Sequence, residues 1–210
     1  MNKMQTVTRA YNFELRAENN ETYGDHIVGR PIVYDSLTDL GYFNEIIERG
    51  ALDNADLKDV KFLVNHNTDM IPLARSRNNN VNSTMQMQVD NEGMAIRVNL
   101  DTENNSDAKS LYSAIKRGDI SGMSFMFNID SEEWEDLESD HPTRRIKGIG
   151  RVLEVSAVTF PAYEATEISA RDKEALESAK ATLESARSRS LENDADMLEL
   201  EKAKLRNKFF

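Results

Sequence analysis

Hydrophobic and polar residues alternate along much of the first 170 residues, a pattern typical of β-strands with one buried face. In the stretch STMQMQVDNEGMAIRVNL, apolar residues alternate with polar ones on both sides of a polar turn at residues 90–93. This pattern predicts a β-hairpin. Further strands are predicted at residues 25–34 and 59–64 and in the segments ISGMSFMFNI and GRVLEVSAVTF.

Two segments among these strands have the apolar spacing of short helices. Residues 105–118 place Ala108, Leu111, Tyr112 and Ile115 on one face and end at a glycine. Residues 42–50 have a similar spacing and also end at a glycine. The sequence therefore predicts a β-rich α+β domain, with a closed or partly closed barrel flanked by short helices.

The last forty residues have a different composition, which predicts a boundary between a domain at residues 1–170 and a helical tail at residues 171–210. The tail contains no Gly or Pro and is rich in strong helix formers. Its narrow apolar seam has coiled-coil spacing, with a one-residue shift near residues 188–190. The seam residues are Leu176, Ala179, Leu183, Ala186, Leu191, Leu198 and Leu205. Three interpretations stay open: a helix folded back on its own domain, a partner-binding or self-associating coil, and two shorter helices.

Composition and charge narrow the class of protein. The chain has 210 residues, 39% of them hydrophobic, so it can bury one substantial core. Its net charge of −11 lies entirely on residues 1–170, because the tail holds nine basic and nine acidic residues. An acidic body without a basic stripe argues against nucleic-acid binding. The absence of cysteine excludes disulfides, thiolate metal sites and a cysteine nucleophile.

The chain also lacks any apolar run of about 18 residues, the length expected of a membrane-spanning helix. The N-terminal MNKMQTVTRAYNF has no apolar stretch of the kind found in secretory signals. We therefore expect a soluble protein of the cytosol that does not bind membranes.

Three polar residues interrupt the apolar strands at comparable positions. His66 follows the run FLV, Ser124 lies within GMSFMF, and Glu154 lies within RVLEVSAV. A general base, a serine nucleophile and an orienting carboxylate would have this distribution if the three strands were neighbours. Each residue also has an ordinary structural explanation, and sequence spacing does not show that the three meet.

The remaining histidines and the acidic residues offer weaker candidates. His26 and His141 lack the apolar run that precedes His66. His66 with Asp69 supplies only two metal ligands, whereas a metal site needs three or four. The sequence therefore predicts neither a metal nor another cofactor.

An ordered set of segments resembles the tailed-bacteriophage prohead proteases, which mature phage capsids. The segments are GRPIVYDSLTDL, ERGAL, FLVNHN followed by PLARS, KRGDISGMSFMF and EVSAVTFPAYEAT, and the resemblance covers residues 11–170. It implies a catalytic triad of His66, Ser124 and Glu154. It also implies a fold related to the herpesvirus assemblins, which are seven-stranded barrels with surrounding helices and use a second histidine as the third member.

The resemblance implies a serine endopeptidase that cleaves the scaffold and major capsid proteins, and itself, inside the assembling procapsid in the host cytoplasm. The alternative is a noncatalytic capsid-assembly factor that keeps the protease fold. As oxyanion donors, the sequence offers Arg144, Arg145 and Arg151, each of which is otherwise an ordinary solvated arginine. The tail is expected to be dispensable for the folding of residues 1–170 but to recruit the enzyme through a scaffold helix or a second tail.

Overall fold

A computed structural model describes residues 6–11, 15–159 and 170–208. The strands are β1 (Thr6–Tyr11), β2 (Leu15–Asn20), β3 (Gly24–Val33), β4 (Thr38–Asp39), β5 (Asn44–Ile47), β6 (Asp59–Val64), β7 (Ala74–Arg77), β8 (Met85–Asp90), β9 (Gly93–Asn99), β10 (Gly122–Glu135) and β11 (Thr143–Val158). The helices are α1 (Ser106–Arg117) and α2 (Ala170–Lys208).

The strands form two sheets. The larger sheet has the order β1-β10-β11-β5-β4, and β6 pairs with β11 and with β7. The smaller sheet has the order β2-β3-β9-β8. This arrangement confirms a sheet-rich α+β fold with few helices. It does not confirm the predicted barrel, because the strand pairing of the described residues does not close into a ring.

The predicted β-hairpin is confirmed as β8 and β9. The strands pair antiparallel up to Asp90 and Gly93, which lie opposite each other and leave a two-residue loop. The Asp90 carboxylate accepts hydrogen bonds from the backbone N–H groups of Glu92 (2.8 Å) and Gly93 (3.1 Å). Gly93 has a φ of 138°, and a Cβ at this position would lie 2.0 Å from the carbonyl oxygen of Ile32. The turn therefore requires glycine here.

The predicted helix at residues 105–118 is confirmed as α1, and both of its ends are capped. The Asn105 side chain accepts from the backbone N–H groups of Asp107 and Ala108, which satisfies two donors of the first turn. Gly118 takes the left-handed conformation, with φ 83°, and ends the helix. The four apolar residues predicted to share a face are all buried.

The predicted helix at residues 42–50 is wrong, because part of this segment forms strand β5. The buried side chains are Phe43, Glu45 and Ile47, which is the alternation of a strand. Glu45 is buried because Arg144 lies beside it, with Nη1 3.5 Å from Oε2. In the sequence, a glutamate is expected to face solvent. The alternation of buried and exposed positions that is typical of a strand is therefore not visible in this segment.

The chain divides into two compact units. Unit 1 contains the described residues of Met1–Ser36, Ile46–Glu133 and Arg145–Glu167. It has one contiguous hydrophobic core, to which both sheets and α1 contribute buried side chains. Phe62 of β6, Met94 of β9, Leu111 of α1 and Phe125 of β10 are representative members. A single core thus supports every element of unit 1 that carries a candidate site residue.

Unit 2 contains the described residues of Leu37–Glu45, Trp134–Arg144 and Ile168–Phe210. The tail is one continuous helix, so the predicted alternative of two shorter helices is wrong. Leu183 and Ala186 are buried, and the Arg187 guanidinium donates to the carbonyls of Leu137 (3.0 Å) and Ser139 (2.6 Å). The middle of α2 therefore packs within its own unit.

Part of the predicted seam and the residues around the predicted domain boundary lie outside the described residues. The side chains of Leu176 and Leu205 lie outside the described residues, as do residues 160–169, which adjoin the predicted boundary at 170/171. That boundary stays a prediction. Within the described ranges, neither helix combines the length and the apolar character needed to cross a membrane.

Candidate active site

His66 lies on a tight turn that follows directly on strand β6. Asn65 and His66 have φ angles of 52° and 56°, and the N–H of Asn67 donates to the carbonyl of Val64 at 3.0 Å. Positive φ at both central residues is the geometry of a type I′ turn. Asparagine and histidine are among the side chains that tolerate it best. The sequence NHN thus reverses the chain at the end of a buried strand.

Asn65 fixes this turn to the end of strand β11. Its amide group donates to Thr159 Oγ1 at 3.0 Å and accepts from the Thr159 backbone N–H at 3.0 Å. Its backbone N–H donates to the carbonyl of Ala157 at 2.9 Å. Three hydrogen bonds therefore hold the residue before His66.

The His66 ring is hydrogen-bonded to Glu154, with 2.6 Å between Nδ1 and Oε1. A carboxylate oxygen accepts this hydrogen bond, so Nδ1 carries the shared proton, and in the neutral tautomer of the ring Nε2 keeps its lone pair. The His66 side chain is 23% exposed, whereas that of Glu154 is 4% exposed. The histidine can therefore reach a substrate, while its carboxylate partner is shielded from water.

Ser156 completes this hydrogen-bond network. Its hydroxyl donates to Oε2 of Glu154 at 2.6 Å and accepts from the backbone N–H of His66 at 3.1 Å. Both oxygens of the Glu154 carboxylate thus have a donor, as a buried carboxylate requires.

Ser124 lies in strand β10 and is fully buried. Its hydroxyl donates to the backbone carbonyl of Arg9 at 2.8 Å, across the pairing of β10 with β1. Among the described residues, no hydrogen bond joins Ser124 to His66. The structure therefore connects two of the three predicted triad members directly, and the triad stays a prediction.

Alternation along β10 places Ser124 on the side of the sheet away from the hydrophobic core. Met123, Phe125 and Phe127 belong to the core of unit 1. Because successive strand residues point to opposite faces, Ser124 points to the other face.

At the end of β11, from Glu154 to Ala157, alternation brings Glu154 and Ser156 to that other face. Val155 and Ala157 are core residues, and they flank Ser156 in the sequence. Strands β10 and β11 are neighbours in the sheet. The serine hydroxyl of β10 and the buried carboxylate of β11 therefore lie on one face of adjacent strands.

The other histidines have partners outside this network. His26 is buried and lies 2.9 Å from the Gly24 carbonyl through Nδ1 and 3.5 Å from Glu18 through Nε2. His141 Nε2 lies 3.2 Å from Asn44 Oδ1 and 3.3 Å from Asp39 Oδ1.

Each arginine considered as an oxyanion donor lies beside a carboxylate. Arg144 is fully buried with Glu45, so it is not a solvated arginine. Arg145 Nη1 lies 3.5 Å from Glu48 Oε1. Arg151 Nε lies 3.8 Å from Asp56 Oδ2.

Sequence reasoning missed Ser156 and the role of Thr159. A signal for Ser156 was present, because residues two apart in a strand share a face, and Glu154 was already a candidate. For Thr159 there was no such signal, since its contact with Asn65 spans 94 residues.

A histidine whose ring is oriented by a buried carboxylate is the general-base arrangement of serine hydrolases. Residues 11–181 match the family model described as caudovirus prohead serine protease, which is most of the chain. The chain belongs to this family.

Proteins similar to the chain include a curated relative and a solved structure. The prohead protease of Enterobacteria phage HK97 is 31% identical over 130 residues, covering 60% of this chain and 52% of that protein. The chain thus spans about half the length of this relative. The bacteriophage T4 capsid assembly protease matches with 13% identity and a TM-score of 0.45, covering 76% of this chain and 100% of that chain.

Proposed function

We propose that this chain is a serine endopeptidase that cleaves capsid-assembly proteins, and itself, during the maturation of a phage procapsid. The observation that carries the proposal is the short hydrogen bond between His66 and Glu154. Membership of the prohead serine protease family supports the same reaction class.

In the proposed mechanism, His66 is the general base. With its Nδ1 proton donated to Glu154, Nε2 accepts the proton of the Ser124 hydroxyl while Oγ attacks the peptide carbonyl carbon. The imidazolium then gives this proton to the leaving amine, and water hydrolyses the acyl-enzyme by the same route. Glu154 stays ionised and stabilises the imidazolium.

Ser124 must change its hydrogen bond before it reacts. Its proton is donated to the Arg9 carbonyl, which is not a base. A change of the side-chain torsion about Cα–Cβ to another staggered rotamer redirects Oγ away from this carbonyl. We propose that substrate binding accompanies this exchange and brings Oγ to His66 Nε2.

We propose the major capsid protein and a scaffold protein as substrates and the interior of the assembling procapsid, in the host cytoplasm, as the site of action. The family description and the name of the HK97 relative support this location. We also propose that residues 171–210 mediate self-association or binding to a scaffold helix.

Intact-mass spectrometry of the purified chain, alone and after co-expression with the major capsid protein, tests the proposed activity. We expect Ser124→Ala and His66→Ala to lower cleavage by about 10⁴-fold or more, since neither can complete proton transfer and attack. The loss in Glu154→Gln should be about 10- to 100-fold smaller, because the orienting residue tunes the base without replacing it.

Ser76→Ala is the matched control. Ser76 is likewise a fully buried strand serine, and its hydroxyl has no hydrogen-bond partner in the described part of the chain. The Ser76→Ala variant should therefore cleave at the wild-type rate. Undiminished cleavage by folded Ser124→Ala would refute the assignment, and absence of cleavage by the wild type in both settings would favour the noncatalytic assembly factor.

A further inference from the structure

Ser156 has no part in the bond-making steps, yet its hydroxyl lies between the carboxylate and the histidine. It is fully buried, and its single proton is donated to Glu154 Oε2 at 2.6 Å. A lone pair of the same oxygen accepts the His66 backbone N–H at 3.1 Å. One hydroxyl therefore contacts both the carboxylate and the main chain of the general base.

Strand pairing explains why this residue lies at that point. Strands β6 and β11 pair in parallel, with Glu154 opposite Lys61 and Ser156 opposite Leu63. Beyond β6, the turn brings the His66 backbone back to β11, where Ser156 is the next residue on the same face as Glu154. The hydroxyl is thus fixed by the sheet and not by a loop.

The two contacts fix different degrees of freedom. A glutamate side chain has three rotatable bonds. A single hydrogen bond from His66 to Oε1 would leave the carboxylate free to rotate about the axis of that hydrogen bond. The Ser156 proton on Oε2 removes that freedom and keeps Oε1 directed at Nδ1. The bond from the His66 N–H fixes the backbone at a residue with positive φ, which is otherwise a costly conformation.

We propose that Ser156 is a positioning residue of the active site, which acts by holding Glu154 and the His66 backbone in the geometry that orients the general base. This inference rests on the proposed protease function. Ser156 is not proposed as a nucleophile, because its hydroxyl proton is donated to Glu154 and not to the general base His66.

The test measures the reactivity of Ser124 with a fluorophosphonate probe on the 210-residue chain. In this reaction the Ser124 oxygen forms a bond to phosphorus, fluoride leaves, and His66 takes the hydroxyl proton. Labelling therefore reports activation of the nucleophile without knowledge of the natural cleavage site. Peptide mapping confirms that Ser124 carries the label.

We expect Ser156→Ala to label about 10- to 100-fold more slowly than the wild type, the usual effect of losing a residue that orients a ligand or base. Ser156→Thr keeps the hydroxyl and should recover most of the rate. Ser76→Ala removes an equally buried strand hydroxyl and should label normally. A purely structural role would not distinguish the alanine and threonine variants in this way.

A double-mutant cycle with Glu154→Gln tests whether Ser156 acts through Glu154. If it does, Ser156→Ala should add less than about threefold to the loss already caused by Glu154→Gln, because interacting positions are not additive. Full additivity of the two losses would overturn the proposal. So would normal labelling of Ser156→Ala, or complete loss of labelling in Ser156→Ala equal to that of Ser124→Ala.

If Ser156→Ala fails to fold, Ser156→Cys supplies a side chain of similar shape with only a weak hydrogen-bond donor. Slow labelling of folded Ser156→Cys supports the proposal, and labelling at the wild-type rate overturns it. If the wild type itself is not labelled and does not cleave, the proposed function has failed and this inference fails with it. If the wild type is labelled and substitution of Ser156 does not change the labelling rate, this inference fails while the proposed function stands.

Discussion

The base of the proposed reaction is carried by a turn in which two consecutive side-chain-bearing residues have positive φ. A left-handed conformation costs roughly 1–2 kcal/mol for an ordinary residue, somewhat less for asparagine. The Asn65 amide offsets part of this cost through its two hydrogen bonds to Thr159. Local strain at His66 is therefore compensated by a contact that lies next to the site.

Substitution of Asn65 separates these two effects. Asn65→Gly relieves the backbone strain but removes the hydrogen bonds to Thr159, whereas Asn65→Ala keeps the strain and also removes the hydrogen bonds. We expect Asn65→Ala to lower the free energy of unfolding by about 1–3 kcal/mol and Asn65→Gly to lower it by less. Urea titration measures both.

Labelling of Ser124 by the fluorophosphonate probe should slow in both Asn65 variants, because each loses the two side-chain hydrogen bonds to Thr159. Slower labelling in an Asn65→Gly protein of near-normal stability would show that these two hydrogen bonds help to position His66. Wild-type labelling in both variants would show that the Glu154 hydrogen bond alone orients the ring.

Among the elements, the β8–β9 hairpin is joined to strand β3 by a charged contact. Arg30 of β3 forms two hydrogen bonds with Asp90, at 2.7 Å and 2.8 Å. The guanidinium and the turn N–H groups of Glu92 and Gly93 hold the pKa of the Asp90 carboxyl well below its usual range. The folded state thus favours the ionised carboxylate.

This shift predicts how stability depends on pH. Since the pKa of Asp90 is lower in the folded than in the unfolded state, its stabilising contribution is fully present above the unfolded value, which is about 3.9. The contribution is lost as the pH falls through the lower folded value. Asp90→Asn should therefore be less stable than the wild type at neutral pH, with a difference that shrinks as the solution becomes more acidic than about pH 4.

Urea unfolding at pH 7 and at pH 3 gives the difference between wild type and Asp90→Asn at each pH. Asp53→Asn is the control, because Asp53 is exposed and its carboxylate has no hydrogen-bond partner in the described part of the chain. It should leave the pH dependence unchanged. A constant deficit of Asp90→Asn at both pH values would contradict the assigned linkage.

The elements that the sequence predicted correctly have local signals. Helix α1 has a capping asparagine and a terminal glycine, and the β8–β9 hairpin has turn residues between alternating strands. Strand β5 was misjudged because Glu45 is buried against Arg144, which lies 99 residues away. Prediction of a strand from alternating residues assumes that charged residues face solvent, and a buried ion pair does not meet this assumption.

The candidate site shows the same division between local and distant information. His66 and Glu154 stood out individually as polar residues in apolar strands. Their hydrogen bond spans 88 residues and depends on the parallel pairing of β6 with β11, which no spacing in the sequence reveals. The donation of the Ser124 proton to Arg9 also depends on a strand pairing, that of β1 with β10.

At the scale of the whole molecule, α2 has two parts with different surroundings. Its middle buries Leu183 and Ala186 and is bonded through Arg187 to the segment before β11 within unit 2. Beyond it, Leu191, Met197 and Leu198 are 65%, 63% and 53% exposed. We expect deletion of residues 171–210 to destabilise unit 2, because it removes these contacts. Only the part of the tail after residue 190 is then expected to be dispensable for folding.

Leu191 and Leu198 are one heptad apart, so the exposed part of α2 presents the seam of a coiled coil without a partner in the described chain. We predict that Leu191→Glu with Leu198→Glu leaves circular dichroism and urea unfolding unchanged, because both side chains already contact water. The same variant should lower self-association, or incorporation into procapsids co-expressed with the major capsid protein, by at least about tenfold, since two charges would be buried at the seam.

Glu192→Gln with Glu199→Gln is the matched control, with two substitutions at the adjacent exposed positions, and it should associate normally. Analytical ultracentrifugation of the free chain separates self-association from binding to a scaffold helix, which appears only in procapsid incorporation. Normal behaviour of the leucine variant in both assays would remove the tail from recruitment. Loss of folding would instead mean that these leucines support unit 2, and the exposed seam would then be no docking surface at all.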